Sequence, residues 1–432
     1  MSAQVAGASS SLLALNRFPP GVHVMLLDNL LSRVIRHGRL TIIYPGGRGR
    51  TYGEAGDGPG PTIRIHHRSV LMAAALDPSL GFAEAYMDGR LTVENGDVYD
   101  VCMIVVHNFE KVGLAGASRL KLALRHLLRP IEQLNRARAS RRNVAHHYDL
   151  SGALYDLFLD ADRQYSCAYF ARPDMTLEEA QAAKKAHIAR KLRLEPGMRV
   201  LDIGSGWGGL ALSLARDHGV DVTGITLSTE QLALARQRAA KAGLADRVKF
   251  ELIDYRAVTG RFDRIVSVGM FEHVGVGFYD IFFNKVRDLL ADDGAAMLHT
   301  IGRTGSPGPT NSFIAKYIFP GGYTPALSEV MTSVERSGLI AADVEILRLH
   351  YAETLKEWRR RFLANWDKAE ALYDARFCRM WDLYLASCEA SFRVGGQVVF
   401  QFQFGRDVAS LPITRDYLYV HDNRENTRLA AQ

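Results

Sequence analysis

The chain has 432 residues, of which 47% are hydrophobic and 23% are charged. This composition is ordinary for a globular protein with a sizeable core, and it excludes a disordered, collagen-like or disulfide-scaffold protein. The net charge is only +6, so the position of the charges along the chain is more informative than their sum.

The first 20 residues are predicted to be a flexible tail. They lack the basic segment that begins a signal peptide, and no run of the chain approaches the roughly 18 apolar residues needed to span a bilayer. We therefore expect a cytoplasmic protein whose contact with the inner face of the membrane is peripheral. The four cysteines are scattered along the chain, which fits neither a disulfide framework nor a paired metal site.

Residues 21–113 are predicted to form a small mixed α+β domain. Residues 40–44 and 62–65 have the composition of strands, and residues 69–76 and 81–87 are typical of short helices. Glycine and proline are frequent in residues 53–61, which predicts a loop between the two strands.

Residues 114–142 are predicted to be a basic helical linker. Between residues 119 and 142 the chain carries eight basic residues and one acidic residue, a net charge of +7. The leucines of this segment share one helical face, while Arg125, Arg129 and Arg136 lie on the opposite face. Such a helix suits an anionic membrane surface, and it equally suits a helix that packs its apolar face on the protein.

Residues 143–410 are predicted to be the catalytic domain, followed by a polar tail at 411–432. Strands are predicted at 199–203, 220–226, 248–253, 264–268 and 295–301, and helices at 210–218, 278–290 and 353–366. Strands that alternate with helices predict an α/β fold with a doubly wound, mostly parallel sheet. Ser228 and Gln231 predict a capping box. The Gln/Phe alternation at 397–404 predicts a strand with one apolar face.

A glycine-rich loop follows the first of these strands and precedes a helix. Its sequence from Asp202 to Gly209 can be parsed as G-x-G-x-x-G, but a dinucleotide site also needs an acidic residue at the end of the next strand. Thr226 and Leu227 stand there instead. Parsed as D-x-G-x-G-x-G, the loop resembles the first motif of S-adenosylmethionine-dependent methyltransferases. That cofactor carries a sulfonium cation and an amino-acid group, which an acidic residue such as Asp202 suits.

Further motifs narrow this interpretation. They are NVAHHYDLS at 143–151, YSCAYF at 165–170, GITLS at 224–228, FDRIVSVGMFEHVG at 262–275, LHTIG at 298–302 and KYIFPGG at 316–322. Together they resemble the cyclopropane-fatty-acyl-phospholipid synthases and the related mycolic acid cyclopropane synthases, over about residues 143–405. Residues 77–89 also resemble the additional N-terminal domain of the phospholipid-acting branch. The resemblance implies a seven-stranded class I methyltransferase sheet with a smaller N-terminal domain that binds lipid.

The resemblance also implies an activity and a set of site residues. A methylene group would pass from S-adenosylmethionine to the cis double bond of an unsaturated phospholipid acyl chain, with bound bicarbonate as the general base and a homodimer as the assembly. The implied bicarbonate site comprises Cys167, Glu272, His299, Ile301 (through its backbone) and Tyr351. The implied cofactor site comprises Tyr165, Ser166, Asp202, Gly204, Gly206, Trp207, Thr226, Leu227, Gln231, Asp254, Tyr255 and Arg256.

The chemistry of these residue types agrees with that implication. The alkene is a poor nucleophile, so the enzyme must hold it against the methyl donor and exclude water. Aromatic faces could stabilise the carbocation that forms; the candidates are Tyr165, Tyr169, Phe170 and Tyr317. Glu272 beside an anion should have a raised pKa. Taken singly, Cys167 and His299 could equally be buried core residues.

Three other functions stay open from the sequence. A methyltransferase of the same family could leave a methyl or methylene branch instead of a ring. A nucleic-acid-binding protein could use the basic segment, although residues 119–142 contain no aromatic residue for base stacking. A lipid-binding module with an inactive catalytic domain is the third, and the intact glycine loop counts against it.

Overall fold

The computed structural model describes residues 22–54, 60–112 and 151–419. Its helices are α1 Val22–Val34, α2 Ser69–Leu76, α3 Pro78–Met87, α4 Val98–Val112, α5 Gly152–Tyr155, α6 Leu177–Leu192, α7 Gly209–His218, α8 Thr229–Lys241, α9 Tyr279–Leu289, α10 Leu327–Ser337, α11 His350–Ala364, α12 Trp366–Leu372 and α13 Ala375–Val394. Its strands are β1 Leu40–Ile43, β2 Gly49–Tyr52, β3 Thr62–Ile65, β4 Leu91–Asn95, β5 Arg199–Ile203, β6 Asp221–Thr226, β7 Val248–Leu252, β8 Phe262–Val268, β9 Leu290–Arg303, β10 Ile340–Leu347 and β11 Gln397–Gly405.

The predicted tail at 1–20, the basic helix at 119–142 and the motif at 143–150 lie outside the described residues. Within residues 22–54, 60–112 and 151–419, every helix is too short or too polar to cross a bilayer.

The described residues form two compact units that interleave along the chain. The first unit contains residues 22–54, 60–112, 311–318 and 362–395, and the second contains residues 151–310, 319–361 and 396–419. The sequence-based division had placed both later segments of the first unit inside the continuous stretch 143–410. Contacts distant in sequence, which local patterns do not reveal, bring α13 to the first unit.

The first unit is built around a four-stranded mixed sheet in the order β2-β1-β3-β4. β1 pairs with β3 in parallel, while the β1–β2 and β3–β4 pairs are antiparallel. The predicted strands at 40–44 and 62–65 and the helix at 69–76 are present. The helix predicted at 81–87 begins earlier, at Pro78, because Asp77 caps it by accepting a hydrogen bond from the Leu80 N–H at 3.2 Å.

The second unit contains a seven-stranded sheet in the order β10-β11-β9-β8-β5-β6-β7. The β9-β8-β5-β6-β7 part is parallel, and β11 runs antiparallel to both of its neighbours. This arrangement confirms the predicted doubly wound, mostly parallel sheet. β5 lies between β8 and β6, so the strand order reverses there, and ligands of such sheets bind at the carboxyl ends of the strands around that point.

Strand β11 shows how the sheet is covered on both faces. Phe400, Phe402 and Phe404 join the main core of the second unit, as the predicted apolar face requires. The glutamines of the other face are buried as well, with Gln401 0% and Gln403 1% exposed. Gln403 donates to the Lys191 carbonyl of α6 at 2.8 Å, so the polar face of the strand packs against a helix.

Candidate active site

The loop between β5 and α7 depends on glycines in left-handed conformations. Gly204 and Gly208 have φ values of 87° and 81°, a region that other residues enter at a cost. A Cβ at Gly204 would lie 2.7 Å from the Met270 Cβ, and one at Gly208 would lie 2.6 Å from the Phe250 ring. The glycines therefore let the loop pass close to neighbouring elements at the switch point of the sheet.

A cleft with about 1190 Å³ of space, open to solvent, lies at this loop. Its walls come from the carboxyl ends of β5, β6 and β8, from residues 253–256 after β7 and from residues 163–166. All twelve residues that the sequence assigned to the cofactor line it: Tyr165, Ser166, Asp202, Gly204, Gly206, Trp207, Thr226, Leu227, Gln231, Asp254, Tyr255 and Arg256. The structure thus brings the whole predicted set to one cleft.

Asp202 supplies a buried negative group at the base of the cleft. The residue is 1% exposed, and its Oδ2 has no hydrogen-bond partner among the described residues. Burial raises the pKa of Asp202 to about 7, and the Lys184 ammonium opposes that rise. An unpartnered carboxylate oxygen here fits an ammonium group of a bound ligand, as S-adenosylmethionine would present.

The end of β6 is organised differently from the predicted capping box. Ser228 Oγ does accept from the Gln231 N–H at 3.2 Å, but the Gln231 side chain does not return a bond to the Ser228 backbone. Instead, Thr226 Oγ1 donates to Gln231 Oε1 at 2.8 Å and accepts from the Ser228 N–H at 3.2 Å. The predicted second hydrogen bond of the capping box, from the Ser228 N–H to the Gln231 side chain, is therefore wrong. Because the amide oxygen of Gln231 is engaged, its amide nitrogen is the group that can bind a ligand.

The far end of the cleft carries an ion pair next to aromatic rings. Arg256 donates to both carboxylate oxygens of Asp254, at 2.8 and 2.6 Å. Its guanidinium also lies 5.4 Å from the Tyr255 ring centre and 5.9 Å from that of Phe278. This end offers flat, partly apolar surfaces of the kind that an adenine ring packs against.

Glu272 lies between Met270 and His273, which line the cleft, and it contacts β9 two residues from His299. The Ile301 N–H donates to Glu272 Oε1 at 2.6 Å, while Oε2 is buried without a partner among the described residues. Burial raises the pKa of Glu272 to about 7, in the direction expected from the sequence. Burial lowers the pKa of His299 to about 3, so this imidazole is neutral.

Cys167 and Tyr351 complete the implied anion site. Cys167 is 1% exposed, and burial raises the pKa of its thiol, so it is not a thiolate nucleophile at neutral pH. Tyr351, in the first turn of α11, packs edge-on against Trp358, and Trp358 stacks on Tyr165 with ring centres 5.1 Å apart. Within the described part of the chain, none of the five anion-site candidates lines the cofactor cleft.

The aromatic candidates are dispersed. Tyr165 lines the cleft, whereas Tyr169 is stacked between the His187 and His350 rings. The Phe170 N–H donates to His350 Nδ1 at 3.0 Å. Tyr317 belongs to the first unit, where its hydroxyl donates to Glu84 at 2.8 Å.

Sequence reasoning missed three buried residues that touch the site. Lys184 donates to Ser166 and Gln164, Gln401 contacts His299, and Trp358 packs on Tyr165. Lys184 could have been found, because it lies on the same helical face as Leu177, Gln181 and Ile188. A lysine in an otherwise buried stripe is a signal of function.

Comparison with known proteins identifies the family of the chain. Residues 135–402 match the family model of the mycolic acid cyclopropane synthetases, and residues 26–112 match that of a domain of unknown function, DUF7884. A probable fatty acid methyltransferase of Pseudomonas putida is 38% identical over 84% of this chain and 93% of its own length. The cyclopropane-fatty-acyl-phospholipid synthase of Escherichia coli K12 is 39% identical over 82% of this chain and 91% of its own length.

Two solved structures resemble part of the chain in fold. The cyclopropane synthase MmaA2 of Mycobacterium tuberculosis is 35% identical, with a TM-score of 0.60, over 63% of this chain and 99% of its own. The mycolic acid cyclopropane synthase CmaA1, in complex with SAH and CTAB, is 38% identical, with a TM-score of 0.59, over 61% of this chain and 97% of its own. The chain therefore belongs to the mycolic acid cyclopropane synthetase family of S-adenosylmethionine-dependent methyltransferases.

Proposed function

We propose that the protein is a cyclopropane fatty acid synthase that acts on the cis double bond of an unsaturated acyl chain in a membrane phospholipid. The observation that carries the proposal is Glu272, a buried carboxyl group whose Oε2 lacks a partner among the described residues. It is hydrogen-bonded to β9 two residues from the neutral His299, and it lies between Met270 and His273, which line the cofactor cleft. The similarity to the Escherichia coli synthase supports the phospholipid substrate.

S-adenosylmethionine, when bound, supplies the methyl group that the alkene attacks. The chain's own residues must then orient the cofactor and keep water from the carbocation. Asp202 and Gln231 offer polar atoms to the cofactor, while Trp207, Ile203 and Ile225 form buried apolar walls. These walls favour attack by the alkene over attack by water.

Loss of a proton closes the ring, and a bound bicarbonate would supply the base for that step. Because Glu272 Oε1 accepts the Ile301 N–H, the acidic proton of the neutral carboxyl group belongs on Oε2, where it can donate to an anion. The resemblance implied that the Ile301 backbone contacts the anion. The Ile301 N–H donates to Glu272, so this N–H would orient Glu272 towards the anion. Gln401 faces His299 Nδ1 with its amide nitrogen at 3.0 Å, which leaves the imidazole proton on Nε2 as a second donor.

Incubation with S-adenosylmethionine and vesicles of unsaturated phospholipid, followed by lipid mass spectrometry and proton NMR, tests the proposal. The expected product contains one CH₂ more than the substrate and shows the ring protons of a cyclopropane. A methylene-branched product is an isomer of the ring, so NMR rather than mass separates the two. Ring protons absent from a product of that mass would contradict the proposal.

Replacement of Glu272 by Ala tests the anion site. We expect turnover to be abolished while the dissociation constant of S-adenosylhomocysteine stays nearly unchanged, since Glu272 does not line the cleft. Glu251→Gln, at an exposed position on β7, is the matched control and should retain full turnover. Wild-type turnover in Glu272→Ala would remove the bicarbonate site from the proposal.

A fatty-acid methyltransferase that leaves a methyl or methylene branch is the second candidate. The similarity to the probable fatty acid methyltransferase of Pseudomonas putida favours it, at 38% identity over most of both chains. The same lipid assay, run with and without an added hydride donor such as NADPH, distinguishes the candidates. A methyl-branched product has two hydrogens more than a cyclopropane and forms only when a reductant supplies a hydride to the carbocation.

We further propose that the protein is a cytoplasmic homodimer with an N-terminal lipid-binding domain, residues 21–113, and that it binds anionic membrane surfaces through residues 119–142. Each basic residue near such a surface contributes about 1 kcal/mol. Charge reversal at Arg125, Arg129 and Arg136 should therefore abolish flotation with anionic vesicles. The homodimer is tested separately, by the molar mass that light scattering gives for the full chain. Unchanged flotation would contradict the proposal that these arginines bind the membrane surface.

A further inference from the structure

We propose that Lys184 is a positioning residue for the cofactor, which turns the Ser166 hydroxyl towards the carboxylate of the amino-acid part of S-adenosylmethionine. The inference concerns the cofactor site alone, so it holds whichever lipid product the enzyme makes.

The contacts of Lys184 fix the direction of the Ser166 hydroxyl. The Lys184 side chain, on α6, is 1% exposed, and its Nζ donates to Ser166 Oγ at 2.8 Å and to Gln164 Oε1 at 2.6 Å. An ammonium group only donates, so Ser166 Oγ must accept. The hydroxyl proton of Ser166 therefore points away from Lys184, and Ser166 lines the cleft.

A second residue of α6 holds the backbone around Ser166. Gln181 Nε2 donates to the Ser166 carbonyl at 3.0 Å and to the Gln164 carbonyl at 3.2 Å. Gln181 is 1% exposed and lies one helical turn before Lys184. Residues 164–166 are thus fixed to α6 through both backbone and side chains, which holds the hydroxyl in one orientation.

The charge of Lys184 acts on the second polar group at this end of the cleft. Among the described residues no ion pair is found for Lys184, yet the ammonium group opposes the rise in the pKa of Asp202 and so favours its carboxylate form. An apolar side chain could fill the same space without the free-energy cost of burying an ammonium group. A buried ammonium therefore acts on both halves of a zwitterion: it orients a donor for the carboxylate, and it favours the charged form of Asp202 that would bind the ammonium.

Binding of two ligands by calorimetry separates this role from a structural one. S-adenosylhomocysteine has the amino-acid group, and 5′-methylthioadenosine keeps the adenosine and sulfur but lacks it. In Lys184→Met we expect the affinity for S-adenosylhomocysteine to fall about tenfold or more, the effect of one lost hydrogen bond to a charged group. The affinity for 5′-methylthioadenosine should stay within about twofold. Lys241→Met, at an exposed position in the last turn of α8, is the control and should change neither value.

Equal loss for both ligands, or no loss for either, would overturn the proposal. Ser166→Ala removes only the hydroxyl through which Lys184 acts, so it gives an answer even if Lys184→Met does not fold. It should show the same selective loss, and the double variant should add little to it. A Ser166→Ala variant that binds both ligands as the wild type does would equally refute the inference.

Discussion

Two buried carboxyl groups define the electrostatics of the catalytic unit at the scale of single residues. Burial raises the pKa values of both Asp202 and Glu272 to about 7. Asp202 also feels the Lys184 ammonium, whereas the groups that stabilise the Glu272 carboxylate are hydrogen-bond donors, the Ile301 N–H foremost. Both carboxyl groups can therefore gain or lose a proton near neutral pH, and only Asp202 has a nearby cation that favours its charged form.

Glu272 makes stability depend on pH, and the sign follows from its raised pKa. Between the ordinary value of 4.5 and about 7, the folded state binds the proton more tightly than the unfolded state does, so stability falls as the pH rises through this window. Glu272→Gln removes this loss. Urea denaturation at both pH values measures the free energy of unfolding. Between pH 4.5 and pH 8, we expect the difference between variant and wild type to shift in favour of the variant by up to about 3 kcal/mol.

If the difference in unfolding free energy between the variant and the wild type were the same at pH 4.5 and pH 8, Glu272 would have an ordinary pKa in the folded protein. Glu251→Gln is again the control, because an exposed carboxylate should give no such change between the two pH values.

The cofactor residues could be predicted from the sequence because they lie in motifs that resemble the family, several of them at strand ends or glycines. Asp202 and Thr226, for example, occupy the penultimate and the last position of two strands that hydrophobic runs reveal. The helical pattern of α6 marks Lys184 as a buried lysine, but it does not identify Ser166 as its partner. Gln401 could not be assigned at all, because its contact with His299 on the neighbouring strand is not specified by any local pattern.

Among the elements, the loop from β5 to α7 has the strictest backbone requirement. Gly204 and Gly206 both have positive φ values, 87° and 54°. They differ in their surroundings, because a Cβ at Gly206 would meet no atom within 4 Å, whereas one at Gly204 would collide with Met270.

We expect Gly206→Ala to lose about 1 kcal/mol of unfolding free energy, the cost of a left-handed residue. Gly204→Ala should lose more and should also bind S-adenosylhomocysteine more weakly, because Met270 lines the same cleft and must move. Urea denaturation and calorimetry measure the two effects. Equal losses in both variants would mean that the contact with Met270 is relieved without cost.

Sequence patterns located the parallel strands well and the edges of the small sheet poorly. β5 is a short apolar run whose composition is typical of a covered strand. β7, with the sequence VKFEL, lies at the edge of the large sheet and begins with an alternation of buried and exposed residues. β2, with the sequence GRTY, is exposed at its first three residues and has no alternation to detect. It exists because its backbone pairs with β1, and pairing of an edge strand is specified by its partner rather than by its own residues.

At the scale of the whole molecule, helix α13 completes the first unit from the far end of the chain. The Tyr86 hydroxyl donates to Asp382 at 3.1 Å, and Arg379 donates to the Met87 carbonyl at 2.7 Å. Both Asp382 and Arg379 belong to α13, which also packs against α4. A domain boundary near residue 143 would therefore cut α13 off from the rest of the first unit.

A chain that begins at residue 143 should consequently be prone to aggregation. It retains α13 but loses the partners of that helix, including Tyr86, so buried surface becomes exposed. We expect early elution in size-exclusion chromatography and strong binding of a hydrophobic dye. Removal of residues 1–21 is the matched control and should leave both properties unchanged. A monodisperse product from the longer truncation would show that α13 is stable without those contacts.

The late position of α13 also governs when the protein can fold during synthesis. About 260 residues separate the end of α4 from the start of α13, which a ribosome needs roughly 15–50 s to translate. The N-terminal sheet must wait that long for its last helix, and the large sheet must wait for β11, which follows α13 immediately. Both units therefore reach completion almost together, so the nascent chain exposes unfinished apolar surface for most of its synthesis, a period in which a holding chaperone would protect it.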